Sequence, residues 1–318
     1  MSNKRQLLVI ALGGNAFLQK GEKGTPEEQW KNVAKAATQI VDLIEEGYKV
    51  VITHGNGPQV GNILEWMEAL KHKIPPLSMD IAGAMTQGWI GYMLQQSIQN
   101  ELARRNLADK HRVVTIVNQV KVSPEDPAWT KPTKYVGPYY TEEEAQRLQK
   151  EKGWIMKKDP RGGWRRVVPS PQPIDNIEKH AIKTLYENGF IVIASGGGGV
   201  PVIEKHGELK GVEAVIDKDL AGQLLARILN ADSFMILTDV EGAYINYGTP
   251  EQKLLRKLTV KEAEKLLNQG TFGAGSMGPK VKAAIEFTKH TGNPSYIGHL
   301  EKVKEILQEK TGTMIVLD

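Results

Sequence analysis

Short apolar runs alternate with longer amphipathic stretches along this chain, and that alternation limits its fold more than any other feature. The runs cover residues 7–12, 50–53, 113–117, 190–194, 233–238 and 313–317. Near-continuous apolar runs of this length belong to strands buried on both faces, as in a parallel sheet covered by helices. Helices are predicted between them, over 26–46, 58–70, 79–105, 174–187, 219–229 and 280–288. In the first, Val33, Ala36, Ala37, Ile40, Val41 and Ile44 recur at steps of three and four, and Gly47 follows where a C-cap belongs. Alternating strands and helices specify an α/β fold with an open, mostly parallel sheet and right-handed crossovers. The 318 residues suffice for one large domain with an excursion, or for two smaller ones.

Residues 121–173 break the alternation. They carry many prolines, Trp129, Trp154 and Trp164, few apolar runs, and one predicted helix at 142–152. Structureless loops of this length are uncommon in compact domains, and the aromatic content argues against disorder. The segment is read as a lid or small subdomain inserted into the main sheet.

Composition excludes several function classes. No cysteine is present, which rules out disulfides and Cys-ligated zinc. The apolar run after Gln6 is too short for a signal-peptide core or a membrane span, and no later run approaches eighteen residues. A cytoplasmic location with no membrane partner is expected. The net charge of +4 comes from 41 basic and 37 acidic residues mixed along the chain, not the basic stripe of a nucleic-acid protein. The one basic cluster, Lys157, Lys158, Arg165 and Arg166, is interleaved with Trp154 and Trp164. It reads as a solvated face or as a rim around an anionic small molecule.

In an open α/β sheet, ligands bind beyond the carboxyl ends of the strands. There the chain places Gly13-Gly14-Asn15, His54-Gly55-Asn56-Gly57-Pro58, Ser195-Gly196-Gly197-Gly198-Gly199 and Asp239. One strand-Gly-Gly turn is as often a plain tight connection. Three at one sheet edge, each leading toward a helix N-terminus, point to an anion site. None matches the dinucleotide fingerprint or the Walker A pattern. Asp217-Lys218-Asp219, at a strand-to-helix turn, is either a simple N-cap or a device that holds metal and phosphate together. Lys280 follows the glycine loop at 273–278 in a first helical turn, where a cation opposes the helix dipole unless a phosphate is bound there. His54 is read as a hydrogen-bonding residue outside the catalytic set.

Long blocks of this sequence together resemble the carbamate kinase family. They are Ala11-Leu12-Gly13-Gly14-Asn15-Ala16, His54 through Gly61, Ala84-Met85-Thr86-Gln87-Gly88, Pro132-Thr133-Lys134, Gly162 through Pro171, Gly211 through Asp219 and Gly275-Ser276-Met277-Gly278-Pro279-Lys280. The resemblance implies a three-layer αβα sandwich of about eight mainly parallel strands, one domain over 1–318 with 121–173 as a protruding subdomain, assembled as a homodimer. It implies transfer of a phosphoryl group between ATP and carbamate, with Mg²⁺. By motif, Gly13, Gly14, Asn15, Gly55, Asn56 and Gly57 would bind the carbamoyl phosphate end. Lys134 would reach the same group from the subdomain, and Lys218 and Lys280 would stabilise the transferring phosphoryl. Asp217 and Asp219 would orient those lysines or hold the metal. Asp239, Tyr244, Gly275, Ser276 and Met277 would lie against the nucleotide, with Lys280.

Related kinases of the superfamily that act on other acceptors resemble K-x-G-G in the first loop; here that position is Ala11, which favours carbamate. Tyr135 stands where the family tends to have proline, which loosens the restraint on Lys134. Direct in-line transfer is expected, since no cysteine or Ser/His/Asp set offers a covalent nucleophile. The competing readings are another acyl-phosphate-forming kinase such as acetylglutamate kinase, and a non-catalytic nucleotide sensor.

Overall fold

The computed structural model describes residues 6–19, 21–159, 162–273 and 277–318. Its main sheet has eight strands. In spatial order they are Lys257–Thr259, Thr313–Val316, Ser295–His299, Ser233–Thr238, Leu7–Leu12, Lys49–His54, Phe190–Ile193 and Arg112–Thr115. Every neighbouring pair is parallel except Ser295–His299 with Thr313–Val316.

The apolar strands are buried on both faces, as their composition requires. In the Leu7–Leu12 strand, Leu8, Ile10 and Leu12 enter one core. That core is shared with helices α1 (Pro26–Glu45) and α3 (Met79–Arg104). Leu7, Val9 and Ala11 enter the opposite core. Its helices include α5 (Lys179–Glu187), α6 (Lys218–Ile228), α7 (Val260–Asn268) and α8 (Met277–Thr291). The short α9 (Val303–Leu307) adds Val303 and Ile306 to the first core. Two helical layers thus enclose one sheet, and the expected αβα sandwich is observed. Helix α1 begins where its sequence says it should. Thr25 caps the Glu28 amide while Glu28 reaches back to the Thr25 amide, and Pro26 occupies the first turn.

A second sheet of four strands runs Glu208–Gly211, Val200–Lys205, Gln119–Val122, Pro173–Asn176. The chain leaves along Gln119–Val122 and returns antiparallel to it along Pro173–Asn176. Between these strands it builds a three-stranded sheet, Lys134–Tyr140, Trp164–Val168 and Met156–Lys158. Helix α4 (Glu142–Lys152) backs that sheet, with Ala145, Leu148 and Met156 packed against Tyr140, Trp154 and Trp164.

Several boundaries differ from the sequence reading, and two of the differences have a clear cause. The helix predicted over 174–187 starts only at Lys179, because Pro173–Asn176 pairs with Gln119–Val122. Asn176 is buried by that pairing while Ile174 is exposed, so tertiary pairing overrides the helical spacing. The strand predicted over 113–117 ends at Thr115, and Val117 is exposed. Among the described residues, no helix is long and apolar enough to cross a membrane.

Candidate active site

The three glycine loops do meet at one sheet edge. A cleft of about 610 Å³ opens there, lined by Gly14, Gly55, Asn56, Gly57, Lys134, Asp217, Lys218, Asp219 and Lys280 together with parts of the excursion. Helix α2 (Gly57–Leu70), α6 and α8 all present their first turns to it, through Gly57 and Pro58, Lys218 and Asp219, and Pro279 and Lys280. Three positive helix ends and three lysines make the cleft a receptor for anions.

The charges form a chain. Asp219, only 2% exposed, accepts from Lys218 Nζ on one carboxylate oxygen and from Lys280 Nζ at 3.1 Å on the other. Asp217 caps α6 by accepting from the Asp219 amide at 2.9 Å, and its second oxygen accepts from Lys134 Nζ at 3.0 Å. Burial opposes ionisation of Asp219, yet the two ammoniums outweigh it and hold its carboxyl down to about 2. Burial pushes Lys218 below the usual lysine value, and Lys280 adds repulsion. Lys280 is 8% exposed, so it is not a solvated surface lysine. The Lys134 pair is more open, and exposed pairs contribute under about 1 kcal/mol. Lys134 can therefore exchange Asp217 for an arriving phosphate at small cost.

The same geometry tests Mg²⁺. All four carboxylate oxygens of Asp217 and Asp219 face a lysine or a helix amide. They orient lysines and do not fit a protein-held divalent cation, which needs free oxygen ligands. Among the described residues, no cluster of three or more metal-ligating side chains occurs.

Close packing explains the glycines. A Cβ on Gly55 would lie 3.0 Å from the Lys218 side chain, which rests on that loop. Along the four-glycine loop, a Cβ would meet His54 from Gly196 at 2.4 Å, Asn56 from Gly197 at 2.2 Å, the Ile216 carbonyl from Gly198 at 2.4 Å and Val120 from Gly199 at 2.3 Å. Gly197 also has φ +66°, a backbone region that side chains disfavour.

Behind the loop lies a buried polar network. Ser195, at φ +53°, donates its amide to Asn118 Oδ1 and accepts from Thr53 Oγ1 at 2.9 Å. Asn176 Nδ2 donates to Ser195 Oγ at 3.0 Å. Gln87 Nε2 donates to the carbonyls of Asn118 and Gly196, both at 3.1 Å, and its Oε1 accepts from the Asn118 amide at 2.8 Å. His54 is fully enclosed, and burial, against one bond to the Gly55 carbonyl, pushes it down to about 4. It is neutral and packs behind the loop, against Gly196.

Other expected residues lie apart from the cleft lining. Gly13 is buried beneath it, its amide bound to the Leu237 carbonyl at 2.9 Å. Asp239 follows the Ser233–Thr238 strand at the same sheet edge and is exposed. Tyr244 sits in a small hairpin with its ring 5.6 Å from that of Tyr247. Met277 opens α8 and packs on the second core. Gly275, Ser276 and the Asn15 side chain fall outside the described residues. Arg165, from the basic cluster read as a solvated face or an anion rim, and Tyr139 line the cleft with the guanidinium 4.9 Å over the ring.

The chain belongs to the amino acid kinase family, whose model matches residues 6–299. A solved uridylate kinase of Bacillus anthracis, 17% identical with a TM-score of 0.53, shares that fold. Much nearer is the carbamate kinase of Pyrococcus horikoshii, 58% identical over 310 residues, 97% of this chain and 98% of that one. The carbamate kinase of Trichomonas vaginalis is 46% identical over 97% of this chain and 99% of its own. A solved carbamate kinase from Giardia lamblia bound to AMP-PNP superposes with a TM-score of 0.94, at 47% identity over 99% of both chains. Within the family, then, this chain groups with the carbamate kinases.

Proposed function

We propose that the cleft transfers a phosphoryl group reversibly between ATP and carbamate, and that Lys134, Lys218 and Lys280 are the groups that act on it. The observation that carries this reading is Asp219 bridging Lys218 and Lys280 where three helix N-termini converge. Phosphoryl transfer needs positioning and charge stabilisation more than covalent chemistry. Carbamate supplies its own oxygen anion. That oxygen attacks the γ-phosphorus, the bond to the β-phosphate oxygen breaks, and ADP leaves with the electron pair. No proton need move, so no general base is required.

The cost lies in bringing two anions together. Unit charges about 4 Å apart repel by roughly 4 kcal/mol at an effective dielectric near 20. The lysines and the loop amides of Gly14 and Gly57 offset that repulsion, while Gly55, whose amide bonds the Leu12 carbonyl, leaves room for the Lys218 side chain. Asp217 and Asp219 hold the lysines in place, and Mg²⁺ would travel on the nucleotide's own phosphates. Asp239, Tyr244 and the start of α8, with Gly275, Ser276 and Met277, are assigned to the nucleotide side; Gly13 and Asn15 shape the acyl-phosphate side. The excursion over 121–173 serves as the lid that carries Lys134, within a single domain.

Homodimer formation and a cytoplasmic location belong to the same reading. Trp66 and Leu70 on α2, Ile74 and Leu77 in the following link, and Ile81, Met85 and Tyr92 on α3 are all exposed. Patches of this kind on a soluble chain mark association, and a second copy on a two-fold axis is the commonest partner.

The test is ATP formation from ADP, Mg²⁺ and carbamoyl phosphate, with acetylglutamyl phosphate in parallel. Carbamoyl phosphate alone should support it, and Lys218→Ala or Lys280→Ala should lower turnover about a hundredfold or more, as for loss of a preorganised charge donor. Near-normal turnover in both variants would refute the roles given to these lysines. Turnover of the other acyl phosphate instead would move the acceptor, and none at all would favour a nucleotide sensor.

A further inference from the structure

Resting on that reading, we infer that Asn56 identifies the amino group of the carbamoyl substrate and that Thr86 is the positioning residue that aims it. Asn56 occupies the N-cap of α2, where an asparagine side chain ordinarily accepts a hydrogen bond from its own helix. Here it makes no such bond. Its Nδ2 instead donates to Thr86 Oγ1 at 2.8 Å.

Thr86 fixes which way the amide faces. Its hydroxyl has one proton, and Oγ1 lies 2.6 Å from the Gly83 carbonyl, which can only accept. The proton is therefore committed to Gly83, so Oγ1 can only accept from Asn56. The amide must turn Nδ2 toward Thr86 and leave Oδ1 on the other side. Gly197 packs on the amide, with room for no side chain between them. Among the described residues no donor reaches Asn56 Oδ1, and Asn56 lines the cleft.

An acceptor is out of place in this setting. Lysines and helix ends supply donors, which suits carboxylate and phosphate oxygens but says nothing about the rest of the acceptor molecule. Carbamate differs from acetate by carrying an N–H donor where acetate has a methyl group. A fixed oxygen facing that position rewards the amino group and leaves Oδ1 unpaired when a methyl group arrives. Sites built to bond an N–H or O–H reject the analogue lacking it far more strongly than apolar pockets reject a missing methylene.

The experiment compares kcat/KM for ATP formation from ADP with carbamoyl phosphate and with acetyl phosphate. Wild-type protein should favour carbamoyl phosphate by at least about a hundredfold. Thr86→Val keeps the shape but removes the hydroxyl, frees the amide to turn over, and should shrink that ratio about tenfold or more. Thr86→Ser keeps the hydroxyl and should keep the ratio. A wild-type ratio near one overturns the inference without any variant. So does a folded Thr86→Val protein with the ratio intact, or a Thr86→Ser protein that loses it. Absence of any turnover with carbamoyl phosphate in the wild type would instead break the functional reading beneath it.

Discussion

At the scale of single residues, Asp219 and His54 are buried for opposite reasons. Asp219 is charged and holds two lysines; His54 is neutral and fills space. Asp219→Asn would leave two ammoniums facing each other without a counterion. Removing one partner of a buried ion pair costs about 3–5 kcal/mol. Urea unfolding should show that loss alongside near-complete loss of turnover; a change below about 1 kcal/mol would contradict the bridging role. His54 makes an acid-stability prediction. Its value falls from 6.5 to about 4 on folding, so the unfolded chain binds more protons between those limits. Stability should then drop as pH falls from about 6.5 to about 4, by about 1.4 kcal/mol per unit for one proton. Unfolding curves at pH 7 and pH 5 would read it, and the drop should vanish in His54→Gln. Asp219 acts lower: its value is depressed, so its contribution is lost only as pH falls from about 4 toward about 2.

At the scale of elements, the excursion joins the cleft to a mobile-charge problem: how firmly Lys134 is held. Tyr135 pairs with Val167 in the three-stranded sheet of the excursion, and its hydroxyl donates to the Lys158 carbonyl at 3.0 Å. This bond ties the strand bearing Lys134 to the opposite edge of that sheet. Tyr135→Phe removes a bond of about 0.5–1.5 kcal/mol. Amide exchange over Met156–Lys158 should quicken, and KM for carbamoyl phosphate should rise about threefold with kcat held. Unchanged exchange would show that the hydroxyl restrains nothing. The elements also mark what the sequence could tell. Apolar runs and glycine loops fixed the sheet edge, because burial and tight turns leave strong local signals. Lys218 and Lys280 stood out because a lysine beside a helix N-terminus needs a reason. Asn118 did not: it is a lone polar residue whose partners, Gln87 and Ser195, lie far away in the chain. The strand Pro173–Asn176 was hidden for the same cause, since its identity depends on pairing with Gln119–Val122. The acceptor role of Asn56 rests on one hydroxyl proton in another helix, which no local pattern encodes.

At the scale of the whole molecule, the exposed apolar face of α2 and α3 sets the assembly prediction. Trp66 and Trp89 stack across the two helices at 5.9 Å. Met85→Glu should convert the proposed dimer to a monomer in sedimentation or light scattering while leaving the fold intact; a chain monomeric from the start would remove the need for the patch. The four-glycine loop has a consequence of another kind. Its members touch the main sheet at His54, the start of α2 at Asn56, the second sheet at Val120 and the approach to α6 at Ile216. Four separate parts of the molecule thus lean on four consecutive residues. In a saturation library, positions 196–199 should form a blank interval that rejects even alanine, each for a different neighbour. No single compensating change elsewhere could reopen more than one of them, so lineages that drift freely around this loop would still carry it unaltered.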